Sequence, residues 1–154
     1  MKVLFVCLGN ICRSPSAEGV FRRAVEQAGL GQRITVDSCG IGDWHVGNPP
    51  DARAQAAAGR RDLDISGLEA RQFSRDDFHA FDYILAMDYG NLRDIRAMEP
   101  AEHGAHVALF LAFAGTPQGE VPDPYYGGEQ GFEDVIDMIE AASQGLLEYI
   151  EAAL

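Results

Sequence analysis

The sequence predicts a single α/β domain spanning residues 1–154, built on a parallel sheet covered by helices on both faces. Three observations predict it. Short apolar runs alternate along the chain with stretches of helical periodicity, the pattern of parallel strands joined by helical crossovers. The first run, residues 3–7, is apolar throughout, as a strand buried on both faces must be. A chain of 154 residues, 47% of them hydrophobic, can also bury a core without metals or cross-links.

Taken in order, residues 3–7 are the first strand. Ser14 and Pro15 then supply an expected N-cap and first-turn proline. Ala17, Val20, Phe21, Ala24, Val25 and Ala28 follow at helical spacing, and Gly29 is the expected stop. Residues 34–39 predict a second strand and the alanine-rich stretch 51–61 a helix. Residues 82–86 predict a third strand, followed by a helix over 89–98, and residues 107–113 a fourth strand. Phe132, Val135, Ile136, Ile139, Leu146, Leu147 and Ile150 share one face of a long closing helix. The loop 115–131 is long, and loops of that length are usually functional or disordered. The run Pro122-Asp123-Pro124-Tyr125-Tyr126 predicts an ordered one.

Ligands of such sheets bind beyond the carboxyl ends of the strands. Cys7-Leu8-Gly9-Asn10-Ile11-Cys12-Arg13-Ser14 lies there, joining a strand to a helix N-terminus. Backbone N–H groups converge in such a loop, and the helix adds partial positive charge, so it suits an anion. Gly9 and Asn10 tolerate the left-handed backbone that wrapping an anion requires. Arg13 brings a planar fork for two phosphate oxygens. The same field favours the thiolate of Cys7, the nucleophilic form, and Ser14 is placed to donate a hydrogen bond to it. Neither Gly-x-Gly-x-x-Gly nor Gly-Lys-Ser/Thr is present. A cysteine that cleaves a phosphate ester also needs an acid for the leaving oxygen, and Asp123, held between two prolines, is the candidate. Read singly, Cys7 also fits a small hydrophobe ending a strand, and Asp123 a surface turn.

Twelve basic against twenty-four acidic residues give a net charge of −12. That argues against a nucleic-acid partner, since no cationic excess exists to neutralise a phosphate backbone. It also repels phosphate at long range. Donors at contact distance must therefore prevail within the screening length of ~8 Å. No apolar run approaches the ~20 residues of a membrane span. The apolar start meets Gly9 and Asn10 too soon for a signal peptide and reads as a strand. Cys7, Cys12 and Cys39 are too few for a disulfide framework, so a reducing, cytoplasmic setting is expected.

Together these residues resemble the low-molecular-weight protein tyrosine phosphatases over almost the whole chain. The matching blocks run from Val6 through Pro15, then Val36-Asp37-Ser38 and Asp43 through Asp51. They continue with Ala70-Arg71-Gln72, Phe81 through Asp88, Asn91-Leu92-Arg93 and Asp123-Pro124-Tyr125-Tyr126-Gly127. The resemblance implies a four-stranded parallel sheet and neither metal nor cofactor. Cys7 would form a phosphocysteine, Arg13 and the loop (Leu8, Gly9, Asn10, Ile11, Cys12, Ser14) would hold the phosphate, and Asp123 would serve as general acid and then base. Asp88 matches an aspartate that buttresses the loop. Trp44 and Tyr125 match aromatic walls of a phosphotyrosine pocket, with Tyr126 beside them. Members resembling arginine phosphatases carry Thr where Ile11 stands, so Ile11 favours phosphotyrosine. Cys12 matches a second loop cysteine able to form a protective disulfide with Cys7. Many members have a histidine where this chain has Leu68, which implies weaker or rearranged loop support. The implied partners are phosphotyrosine-containing proteins, a tyrosine kinase among them, and a monomer is expected.

Three alternatives fit parts of the sequence. Thioredoxin-coupled arsenate reduction shares the loop but needs further cysteines in a mobile segment, and none follows Cys39. A phosphate-recognition module without turnover would not need Cys7, Arg13 and Asp123 together. His103 and His106 could share a helical face toward a metal, but no third ligand is evident, and exposed loop histidines are expected.

Overall fold

The computed structural model describes residues 1–115 and 119–154. The part of the 115–131 loop at 116–118 lies outside the described residues. Four parallel strands, β1 (Lys2–Cys7), β2 (Thr35–Gly40), β3 (Tyr83–Ala86) and β4 (His106–Leu109), form one sheet in the order β2-β1-β3-β4. The helices are α1 (Arg13–Gln27), α2 (Ala52–Gly59), the single turn α3 (Asp77–Ala80), α4 (Tyr89–Ala97) and the 25-residue α5 (Glu129–Ala153).

The alternation of β1 divides the core in two. Val3, Phe5 and Cys7 face the layer of α1, α2 and α5, whereas Leu4 and Val6 face that of α3 and α4. Phe5 sits edge-on to Phe21 of α1 at 5.8 Å and to Phe110 at 4.8 Å, a geometry favoured by the ring quadrupoles. On the other face Leu4 and Val6 join Phe73, Phe78, Ile84 and Ile95. Because β1 is flanked by β2 on one side and β3 on the other, the chain leaves β1 and β3 in opposite directions. The crevice this opens is where such sheets bind ligands.

The elements fall where periodicity placed them, with two corrections. Residues 107–113 are not one strand: β4 ends at Leu109, and Phe110–Ala114 form a 3₁₀ turn ended by Gly115 at φ 82°. A short apolar run does not distinguish these two conformations. Ser14 is also not the N-cap of α1. The helix begins at Arg13 with no side-chain cap, because the Ser14 hydroxyl turns back into the preceding loop. Gly29 does end α1, at φ 75°. His103 and His106 share no helix. His103 is pinned by Glu99 and by the Ala105 N–H, and His106 opens β4 among Tyr83, Phe113 and Tyr149. Among the described residues no helix is long and apolar enough to cross a membrane.

Candidate active site

The loop between β1 and α1 is closed on itself by Asn10. Its backbone takes φ 58°, the left-handed turn that brings its own N–H to 3.2 Å from Cys7 Sγ. Gly9 does not share that conformation. Its value is size, since a Cβ there would stand 3.0 Å from the His45 ring. The Asn10 amide donates to Ser14 Oγ (2.8 Å) and Ser38 Oγ (3.0 Å), while its oxygen accepts from the Arg71 N–H (3.0 Å). Ser38 in turn donates to Glu18 at 2.6 Å. The buried amide is thus satisfied on both sides with Leu68 in place of the histidine that many members of the resembled family carry. Leu68 packs against the apolar core instead.

Ser14 Oγ lies 3.0 Å from Cys7 Sγ and 3.2 Å from the Cys39 carbonyl. With Asn10 donating to it, the hydroxyl has one hydrogen for two acceptors, and an ionised sulfur is the stronger. Cys7 Sγ therefore lies on a buried floor with the Asn10 N–H donating to it and the Ser14 hydroxyl beside it. Below it, the loop backbone rests on Gly40, where a Cβ would come within 2.9 Å of Leu8 O and 3.0 Å of Asn10 N. Gly40 was not foreseen, because close approach to glycine leaves no sequence pattern of its own.

The Arg13 side chain is 3% exposed and cannot wander. Its Nη1 donates to Asp88 Oδ2 at 2.6 Å and to the Val121 carbonyl at 3.0 Å, and Nη2 stands 3.7 Å from Asp123 Oδ2. Burial works against its charge, but Cys7, Asp88 and Asp123 outweigh that and raise its pKa above the ordinary arginine value. Asp88 uses its other oxygen to cap α4 through the Asn91 N–H (2.7 Å), so one carboxylate fixes both the arginine and the helix after β3.

Above the sulfur opens a cavity of about 300 Å³. Cys7, Cys12 and Arg13 form its base with Gly9 and Ile11, Asp123 stands on one side, and Leu8, Trp44, His45, Tyr125 and Tyr126 line it toward solvent. Trp44 is 66% and Tyr126 95% exposed, so these rings are free to meet a ligand rather than committed to the core. Gly42 lets the Trp44 ring fold over the loop, since a Cβ there would overlap it at 1.9 Å. His45 is a further lining residue that sequence reasoning did not single out. Burial pushes the Cys12 thiol up to about 12, with Asp51, Cys7 and Asp123 adding to it, so Cys12 is a neutral thiol at physiological pH. Among the described residues no three His, Cys, Asp or Glu side chains are arranged to hold a metal ion. The arrangement suits attack by sulfur on a phosphorus held by Arg13 and backbone amides, with a carboxyl group beside the leaving oxygen.

The chain is similar to known phosphatases over almost its whole length. The family model described as low molecular weight phosphotyrosine protein phosphatase matches residues 2–154. The low molecular weight phosphotyrosine protein phosphatase of Schizosaccharomyces pombe is 49% identical over 152 residues, 97% of this chain and 97% of that protein. Among solved structures, a protein tyrosine phosphatase from Entamoeba histolytica with Hepes in its active site superposes with a TM-score of 0.94 at 38% identity, covering 99% of this chain and 98% of that one. A Drosophila arginine phosphatase superposes with a TM-score of 0.91 at 34% identity, covering 97% and 98%.

Proposed function

The chain belongs to the low molecular weight phosphotyrosine protein phosphatases, and we propose that it hydrolyses phosphotyrosine in two steps on Cys7. In the first, the Cys7 thiolate attacks phosphorus. The S–P bond forms as the bond to the tyrosyl oxygen breaks, and Asp123 gives its proton to the departing phenolate. In the second, the Asp123 carboxylate takes a proton from water, which attacks the phosphocysteine and frees phosphate and the thiolate. Arg13 and the loop amides hold the non-bridging oxygens through charge-assisted bonds. Ser14 donates to the sulfur, and Asp88 keeps Arg13 in place. Leu8, Gly9, Asn10, Ile11 and Cys12 shape the cradle, while Trp44, Tyr125 and Tyr126 flank the substrate ring.

The observation that carries this reading is the set of groups around one sulfur. The Asn10 N–H and the Ser14 hydroxyl lie within 3.2 Å of Cys7 Sγ, and Arg13 and Asp123 share the cavity above it. Ile11, in place of the threonine of arginine phosphatases, supports the aryl ester as substrate. Arsenate reduction is not favoured, because the one remaining cysteine, Cys39, is fully buried in β2. Hydrolysis of an aryl phosphate in the presence of a chelator tests the function. Turnover is expected to persist, to vanish in Cys7→Ser, and to fall in Asp123→Ala by roughly 10²-fold or more where the leaving group is poor. Absence of metal-free turnover overturns the reading. Phosphotyrosine proteins, a tyrosine kinase among them, are the partners it implies, and a Cys7→Ser trap retains them.

The second loop cysteine supports reversible oxidation. Peroxide oxidises the Cys7 thiolate to a sulfenic acid, and the Cys12 sulfur then displaces hydroxide from it to close a disulfide. If Cys12→Ser recovers activity from peroxide as fully as the wild type, this protective role fails.

A further inference from the structure

The first turn of α2 lies between the two loops that carry the chemistry, and bonds to both. The Asp51 N–H donates to the Ile11 carbonyl of the phosphate loop at 2.8 Å. The Asp51 carboxylate caps α2 through the Arg53 N–H (2.8 Å) and also accepts from Arg53 Nε and Nη2, both at 3.0 Å. That grip holds Asp51 below the usual carboxylate range, chiefly through the hydrogen bond from Arg53. It leaves Arg53 Nη1 to reach a third element, donating to the Tyr125 carbonyl at 2.8 Å. The guanidinium lies over two rings, 5.2 Å from the centroid of Tyr125 and 4.8 Å from that of Phe132.

Asp123 stands between two fixed points. On one side Val121 is anchored twice, its N–H to Met87 O at 2.8 Å and its carbonyl to Arg13 at 3.0 Å. On the other is Tyr125, whose N–H donates to Asp123 Oδ1 at 3.0 Å and whose carbonyl Arg53 holds. Beyond Tyr125 come Tyr126, Gly127 and Gly128 before α5 begins, where the Gly127 N–H closes a turn onto the Pro124 carbonyl at 3.0 Å but, among the described residues, makes no bond to the phosphate loop. A helix-capping pair alone needs neither the bond to Tyr125 nor the stacking on two rings.

We propose that Arg53, held by Asp51, is a positioning residue that ties the distal end of the acid loop to the phosphate loop and so sets the reach of Asp123 toward the leaving oxygen. The proposal rests on the reading of Asp123 as the general acid. An arginine is required, because only a planar fork holds one carboxylate with two nitrogens and a carbonyl with the third.

The test is kcat/KM, which reports the steps through leaving-group departure, measured for aryl phosphates with a graded series of phenols. Arg53→Met should lower it by about tenfold for the poorest leaving group and less than about twofold for the best, since only the former needs a well-placed acid. Arg53→Lys should fall between. In an Asp123→Ala background Arg53→Met should change kcat/KM by under about twofold, because the group it positions is gone. Asp51→Asn keeps the cap and the Nε bond through its one oxygen but loses the bond to Nη2 and the opposing charge. It should show the same leaving-group trend in smaller degree and guards against misfolding of the Arg53 variant. A loss equal across all leaving groups, or fully additive with Asp123→Ala, overturns the clamp. If Asp123→Ala itself shows no leaving-group dependence, the underlying acid assignment fails instead.

Discussion

Asn10 commits its φ of 58°, its two amide hydrogens and its oxygen to one arrangement, tying the phosphate loop to α1, β2 and the segment at Arg71. Asn10→Ala should therefore cost on the order of 3 kcal/mol, from three lost hydrogen bonds and a left-handed alanine. Asn10→Gly should recover roughly 1 kcal/mol of that by relieving the backbone alone. Denaturant midpoints at unchanged slope would measure the difference, and equal losses in both variants would place the role of Asn10 entirely in its side chain. Cys12 titrates the other way from a reactive cysteine. Its folded pKa of about 12 lies above the reference value of 9.0. The stability that its neutral form confers is therefore fully present below the unfolded value and is lost as pH rises through that interval. Replacing it by Ser should flatten the alkaline fall in stability between those limits. An alkylating agent near neutral pH should label Cys7 and spare Cys12 and Cys39, as mapped by peptide mass. Comparable labelling of Cys12 would contradict its being held as a neutral thiol.

Among the elements, α5 is closed against the 3₁₀ turn by Gly145, where a Cβ would lie 1.7 Å from the Phe113 carbonyl oxygen and 2.8 Å from its carbon. Backbone cannot rotate aside. Gly145→Ala should destabilise by about 1–3 kcal/mol as an overpacked contact, even though alanine is the better helix former. Gly131→Ala, in the same helix with only an ordinary 3.7 Å contact to Pro124, should be neutral or stabilising by up to ~1 kcal/mol. Thermal unfolding of the two variants separates packing from propensity, and a stabilised Gly145→Ala would show that the turn yields. These cases also mark what was legible. β1 was, because an unbroken apolar run ahead of a glycine-bearing loop fits a buried strand, and α1 and α5 were, because six or more apolar positions at one period leave few other readings. The four-residue α3 is too short to have a period. The apolar stretch 107–113 hid the change from strand to 3₁₀ turn. Ser14 misled because a residue suited to capping a helix is equally suited to solvating a thiolate, and the choice between them is tertiary. In the site, Cys7, Arg13 and Asp123 were readable from residue type and loop context. Arg53, Gly40 and the Val121 carbonyl act through contacts made by folding, with no local pattern to announce them.

The molecule as a whole opposes the task of its site. It carries a net charge of −12, and Lys2 is its one lysine. Most of its arginines are already paired: Arg22 with Glu18, Arg60 and Arg61 with carboxylates of α5, Arg71 with Asp37 and Asp77, Arg96 with Glu99. Around the cavity Arg13 is buried and Arg53 is bound to Asp51, while the outer lining is Leu8, Trp44, His45, Tyr125 and Tyr126. A phosphopeptide thus approaches an anionic surface, and among the described residues the arginines at the cavity are Arg13 at its floor and Arg53, already bound to Asp51, beside Tyr125. Residues flanking the phosphotyrosine stay outside that floor and feel the global field, so basic flanks should be drawn in and acidic ones repelled. At low salt, kcat/KM for a phosphotyrosine peptide with Lys or Arg flanks should exceed that for one with Asp or Glu flanks by about tenfold. The gap should narrow to under about threefold near 0.5 M salt, where screening acts within a few ångströms. On the proposed reading the phosphate itself is held by direct bonds to Arg13 and the loop, so a small aryl phosphate should respond to salt far less than either peptide. Measured against ionic strength, the three substrates separate steering from grip. A salt-independent preference for basic flanks would place the selectivity in specific rim contacts rather than in the charge of the molecule.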